Sequence, residues 1–143
     1  MYPFLLVTHL LAAIAFIGTL FFEVLIWHQA RLQVVGAATA DRAIAARSRK
    51  VLHGVVLALY GAGVGMAWQY RGALSQPFAS QFGTLMSLKI LLALSIIGHY
   101  LVLALLLTRG RLSDARALWI RRSILGHMVL IVILAKAMFY WHG

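Results

Sequence analysis

Four apolar runs, at 4–27, 51–70, 82–108 and 118–141, leave this 143-residue chain few ways to fold. Each supplies the ~20 residues that a helix rising 1.5 Å per residue needs to cross about 30 Å of hydrocarbon. In lipid there is no water to satisfy backbone N–H and C=O groups, so such runs must close their hydrogen bonds internally. The expected fold is therefore all-α: a four-helix antiparallel transmembrane bundle, one integral membrane domain over 1–143. The 63% apolar content agrees, since a soluble domain carries roughly 45–50%.

Charge placement orients the helices. The connector after the first run carries Arg31, Arg42, Arg47, Arg49 and Lys50 against Asp41. The third connector carries Arg109, Arg111 and Arg116 against Asp114, with Arg121 and Arg122 following, whereas the second has only Arg71. Basic connectors stay in the cytoplasm, which places both termini outside a bacterial inner membrane. The net charge of +10 is thus a topology signal and not a nucleic-acid footprint. Trp27, Trp68, Tyr70, Trp119, Tyr140 and Trp141 fall at run ends, as an interfacial aromatic belt does. The start, Met1-Tyr2-Pro3-Phe4, lacks the basic region of a cleaved signal peptide and is expected to be retained. The Ala-rich stretch at 36–46 is expected to extend a neighbouring helix. Gly54, Gly61 and Gly65 fall near one helical face and would allow close helix approach. No internal repeat stands out.

Polar chemistry within the runs comes mainly from histidine. There are six, His9, His28, His53, His99, His127 and His142, and no cysteine. Disulfides, thiolate ligands and c-type haem attachment are thereby excluded. Ionisable residues inside a membrane are costly and by default functional. Counted at 1.5 Å per residue, His99 and His127 lie at one level, roughly 12–14 Å from the cytoplasmic edge. Two imidazoles at one depth on different helices suit the axial ligation of a haem b iron. His53 and His9 are reserve ligands, while His28 and His142 lie at the surfaces.

His9, Lys89 and Lys136 form an outer basic layer, where the two lysines could pair with haem propionates or a porphyrin substrate, or snorkel to headgroups. Glu23, the only acid within a run, is expected to pair with His28 or His53, or to relay protons. A copper alternative uses His9 with Met86 and Met138, because imidazole and thioether suit Cu(I).

Thr8-His9-Leu10-Leu11-Ala12-Ala13 followed by Gly18 resembles the first span of CopD-type copper-resistance membrane proteins. The related HemJ-type protoporphyrinogen oxidases are similar in having a His early in that span and another at its end, as His9 and Trp27-His28 do here. Leu88-Lys89-Ile90-Leu91-Leu92, Gly98-His99-Tyr100 and Lys136 also look like their pattern. The chain departs from it at Leu85, where that group has an Arg, and at Lys136-Ala137, where it has Lys-Pro. The resemblance implies a four-helix protein with b-type haem and a redox role on porphyrin, quinone or copper. The expected function is electron transfer by a His-ligated haem. The alternatives are a membrane oxidoreductase acting on quinol or protoporphyrinogen IX, and copper handling. The expected partners are the lipid bilayer, a quinone or porphyrin and a second copy of the chain in a homo-oligomer, with no nucleic acid.

Overall fold

The computed structural model describes residues 1–140, so Trp141 and His142 lie outside the described residues. Its elements are α1 (Tyr2–Phe21), a π-helical stretch (Phe22–Trp27), α2 (His28–Ala30), α3 (Ala38–Gln69), α4 (Arg71–Ser75), α5 (Gln81–Thr108) and α6 (Asp114–Tyr140). The protein is all-α. Four helical segments among the described residues are long and apolar enough to cross a membrane: Tyr2–Ala30, Ala38–Gln69, Gln81–Thr108 and Asp114–Met138. It is a multi-pass membrane protein. The Ala-rich stretch is resolved in favour of the second span, because α3 begins at Ala38 and carries the basic residues Arg42 to Lys50 on its first turns. The chain forms two compact units, Met1–Gln69 and Tyr70 onward.

In the first unit α1 packs antiparallel on α3. Phe16, Leu20 and Val24 are almost fully buried, whereas Leu11, Ile14 and Leu57 are largely exposed. Exposed aliphatic side chains are suited to acyl chains, since lipid is as apolar as leucine. Two glycines permit the close approach. A Cβ on Gly63 would lie 3.3 Å from His9 Cε1, and one on Gly65 would lie 3.1 Å from Leu5 Cδ1. Gly54 and Gly61 have nothing within 4 Å, so of the three glycines named from spacing only Gly65 contacts the neighbour, and Gly63 joins it. Gly63→Ala is expected to lower stability by about 1 kcal/mol, because the crowding of the His9 ring outweighs the gain in helix propensity. Gly61→Ala, into open space, is expected to raise it by up to about 1 kcal/mol. Thermal unfolding in one detergent checks both; equal shifts would refute the close-packing account.

The turn from α2 to α3 is tied by side chains. Asp41 accepts from Trp27 Nε1 at 2.7 Å and from Arg31 Nη1 at 3.0 Å. Arg31 Nη2 in turn donates to His28 Nδ1 at 3.3 Å. Gly36, at φ 78°, makes the reversal before α3.

The second unit is an antiparallel hairpin of α5 and α6, with α4 set against the start of α5. Ser80 caps α5, its hydroxyl accepting from Gly83 N–H at 3.0 Å. The helix closes at Gly110 (φ 63°), where Arg111 N–H donates to the Leu106 carbonyl and Gly110 N–H to that of Leu107. This is a Schellman ending, which needs a left-handed residue after the helix. It fixes the short connector that delivers α6 back along α5. Ile124, Ile96 and Met128 are buried in this unit.

Candidate functional site

The site of greatest chemical content lies in the α5–α6 hairpin. Ser95 and His99 are one turn apart on α5, and Ser123 and His127 are one turn apart on α6. Helical side chains lean toward the preceding turn. Each imidazole therefore reaches its own i−4 carbonyl: His99 Nδ1–H donates to Ser95 O at 2.7 Å, and His127 Nδ1–H to Ser123 O at 2.7 Å. Since a carbonyl only accepts, both rings carry a proton on Nδ1, and in the neutral ring Nε2 is the lone pair.

The antiparallel register then crosses the pairs. The Ser123 hydroxyl donates to His99 Nε2 at 3.1 Å, and the Ser95 hydroxyl to His127 Nε2 at 3.2 Å. Ser95 Oγ also lies 3.5 Å from His99 Nδ1. The two rings meet midway, with centroids 5.2 Å apart and planes inclined by 52°. The structure brings His99 and His127 together at one level, where depth counting placed them.

The serines escaped the sequence reading, yet the signal was there. Ser95-Ile96-Ile97-Gly98-His99 and Ser123-Ile124-Leu125-Gly126-His127 are the same pentad with one conservative change. The expectation of no internal repeat is corrected at this point. A five-residue match is short beside apolar helix background, and it becomes meaningful when an antiparallel pairing makes each Ser face the other's His.

A groove of about 710 Å³ opens beside this cluster, within the same hairpin. Ser95, Gly98, His99, Val102 and Leu106 form its α5 wall, a stripe at helical spacing. Ala115, Arg116, Trp119 and Ile120 form the α6 wall. The Trp119 ring lies 6.5 Å from that of His99. Trp119, expected only as an interfacial anchor, thus also lines the groove. The volume falls within the ~300–1,000 Å³ of small-molecule sites, and a mostly apolar wall with few polar groups is their usual make-up.

The other named residues are placed as follows. His9 Nδ1–H donates across to the α3 carbonyl of Leu59 at 2.9 Å, beside Gly63. His53 is exposed, and its Nδ1–H donates to Arg49 O at 2.5 Å. His9, His53, His99 and His127 thus share one tautomer, with a backbone carbonyl setting the ring, as is usual for imidazoles that bind metals. His28 differs, because its Nδ1 accepts from Arg31. Glu23 is buried at 8% exposure within the π-helical stretch Phe22–Trp27. Such π segments often occur at functional sites. Lys89, half-buried, and Lys136, exposed, both lie toward the end of the hairpin away from the 109–113 connector. Lys136 Nζ sits 6.0 Å from the Tyr140 ring centroid, and neither lysine lines the groove. Met138 is buried and Met86 half-buried. Among the described residues no three His, Asp or Glu side chains converge on a metal-sized site.

No protein family, characterised protein or solved structure gives a significant match to this chain.

Haem can be tested against this arrangement. A porphyrin between the His99 and His127 rings would have to displace both serine hydroxyls and force apart a pair of helices already in contact. A porphyrin lying in the groove would meet His99 alone, and its Nε2 would have to leave the Ser123 hydroxyl, which is on the facing helix and off the groove wall. A helical serine released in this way has its own i−4 carbonyl as an alternative acceptor. Of the two imidazoles only His99 lines the groove, and His127 lies outside it in the serine network.

Proposed function

We propose that this is a b-type haem protein of the bacterial inner membrane, serving electron transfer or oxidoreduction. The observation that carries the reading is an imidazole preset as the Nδ1–H tautomer at the wall of an apolar groove in a membrane helix pair. A bound haem would supply one-electron chemistry there. His99 would hold its iron, with the Ser95 carbonyl fixing the ring and raising its basicity. His127, through Ser95, keeps that stretch of α5 in register. Gly98 and Val102 leave the α5 wall smooth for a flat ring, and Trp119 offers it an aromatic edge.

A second reading rests on the same groove. A porphyrinogen could occupy it as substrate of an oxidase of the HemJ type, with a quinone as the electron acceptor. The low polarity of the groove supports both readings.

The test is an absorption spectrum of protein expressed with haem supplied and purified in mild detergent. A Soret band is expected, with sharpened visible bands on reduction. Helical, monodisperse protein with no Soret band would overturn the haem reading. Growth of a strain lacking its own protoporphyrinogen oxidase, rescued by this chain, would favour the second reading; no rescue by well-expressed protein would refute it.

A further inference from the structure

We infer that Arg116 anchors a carboxylate of the groove's ligand. The ligand class is then a flat apolar ring with acid arms, a tetrapyrrole dicarboxylate, inserted with its acids toward the 109–113 connector. This rests on the porphyrin reading above and adds to it an orientation and a recognition residue.

The two ends of the groove differ chemically. At one end stand Ser95 and His99, and at the other Arg116, an exposed residue beside Ala115 and across from Leu106 whose long side chain carries its guanidinium at that end. Along the α5 wall of the groove, His99 and Leu106 are seven residues apart, about 10 Å of helix. A porphyrin spans a similar length from its centre to the tip of an acid side arm. A ring centred at His99 would therefore bring its carboxylates to Arg116.

The guanidinium is available for that contact. Its only side-chain hydrogen bond among the described residues is to the Arg111 carbonyl, at the long distance of 3.5 Å. Its remaining N–H groups form the planar fork that matches a carboxylate two-to-two. Arg116 also lies in the first turn of α6, where the helix dipole favours a negative charge. Lys89 and Lys136, expected from sequence to hold the acid arms, lie off the groove toward the other end of the hairpin. A ligand lying in the groove is thus oriented opposite to that expectation, with its acids on the side of the 109–113 connector.

The test uses the purified full chain in phosphatidylcholine nanodiscs. Haemin, haemin dimethyl ester and metal-free protoporphyrin IX are titrated by absorbance into wild type, Arg116→Gln and Arg116→Lys. Wild type is expected to bind haemin at least about tenfold more tightly than the ester, as one charge-assisted pair allows. Arg116→Gln should weaken haemin to the level of the ester and leave ester binding unchanged, which also shows the groove intact. Arg116→Lys should restore some of the difference. Protoporphyrin IX should show the same dependence on Arg116, because the acids and not the iron are recognised. An unchanged haemin-to-ester ratio in Arg116→Gln would overturn the inference. If wild type binds none of the three ligands, the porphyrin reading itself fails, and that outcome is distinct from the first.

Discussion

His99→Ala is expected, if the protein takes up haem as proposed, to remove at least nine-tenths of it, read as the Soret-to-protein absorbance ratio, with helicity unchanged. Loss of a mere supporting hydrogen bond to a metal ligand already costs about 10–100-fold in affinity. Loss of the ligand itself should cost more. The fold should survive, because His99 is only half-buried and the neighbouring Ile96 and Ile124 keep their packing. Ser123 loses its acceptor at Nε2, but a helical hydroxyl can turn to its own i−4 carbonyl. His127→Ala serves as the contrast. It frees the Ser95 hydroxyl and leaves the groove wall intact, since His127 does not line it. That variant should keep a Soret band with a shifted maximum. A Soret band of full intensity in His99→Ala would reject His99 as the ligand and move attention to His9 and His53.

The second large effect concerns the first unit. Asp41→Ala should lower its unfolding free energy by about 2 kcal/mol. One carboxylate there accepts from the Trp27 indole at 2.7 Å and from Arg31 at 3.0 Å. Hydrogen bonds to a charged group contribute roughly 1.5–3 kcal/mol each, and the two are not additive because they share a partner. The ion pair is partly exposed, at 18% for Arg31 and 34% for Asp41, so screening holds the total near the lower end. Asp41 also sits in the first turn of α3, where a negative charge complements the helix dipole. Asp41→Asn keeps an acceptor for Trp27 and should lose only about half as much. Thermal melts followed by tryptophan fluorescence measure both variants; equal losses for Ala and Asn would show that the charge and not the indole bond dominates. A melt of Asp41→Ala unchanged within about 0.5 kcal/mol would show that the knot does not hold the turn.

Much of this architecture was legible residue by residue. The spans were readable because a bilayer admits few alternatives: a run of about twenty apolar residues must be helical, whatever its neighbours are. The level shared by His99 and His127 followed from constant helical rise. The helix starts were harder. Ala38 to Lys50 is too polar for the hydrocarbon, yet it continues α3, since alanine and arginine favour helix and no breaker intervenes. The Trp27–Asp41–Arg31 contact was hidden because its partners stand 10 and 14 residues apart across a turn whose geometry depends on Gly36.

By itself, then, the sequence determined an all-α chain with four membrane-length helices and imidazoles at a matched depth. These properties depend on hydrophobicity and on 1.5 Å per residue, which are local quantities. Only the tertiary structure decided what the imidazoles face. The antiparallel register of α5 and α6 turned two copies of one pentad into a crossed Ser–His network. It also put Trp119 and Arg116 on the wall of a groove beside His99, and left Lys89 and Lys136 off that wall. Register is a pairwise property of two helix surfaces, set by which side chains interlock, and no single helix carries it.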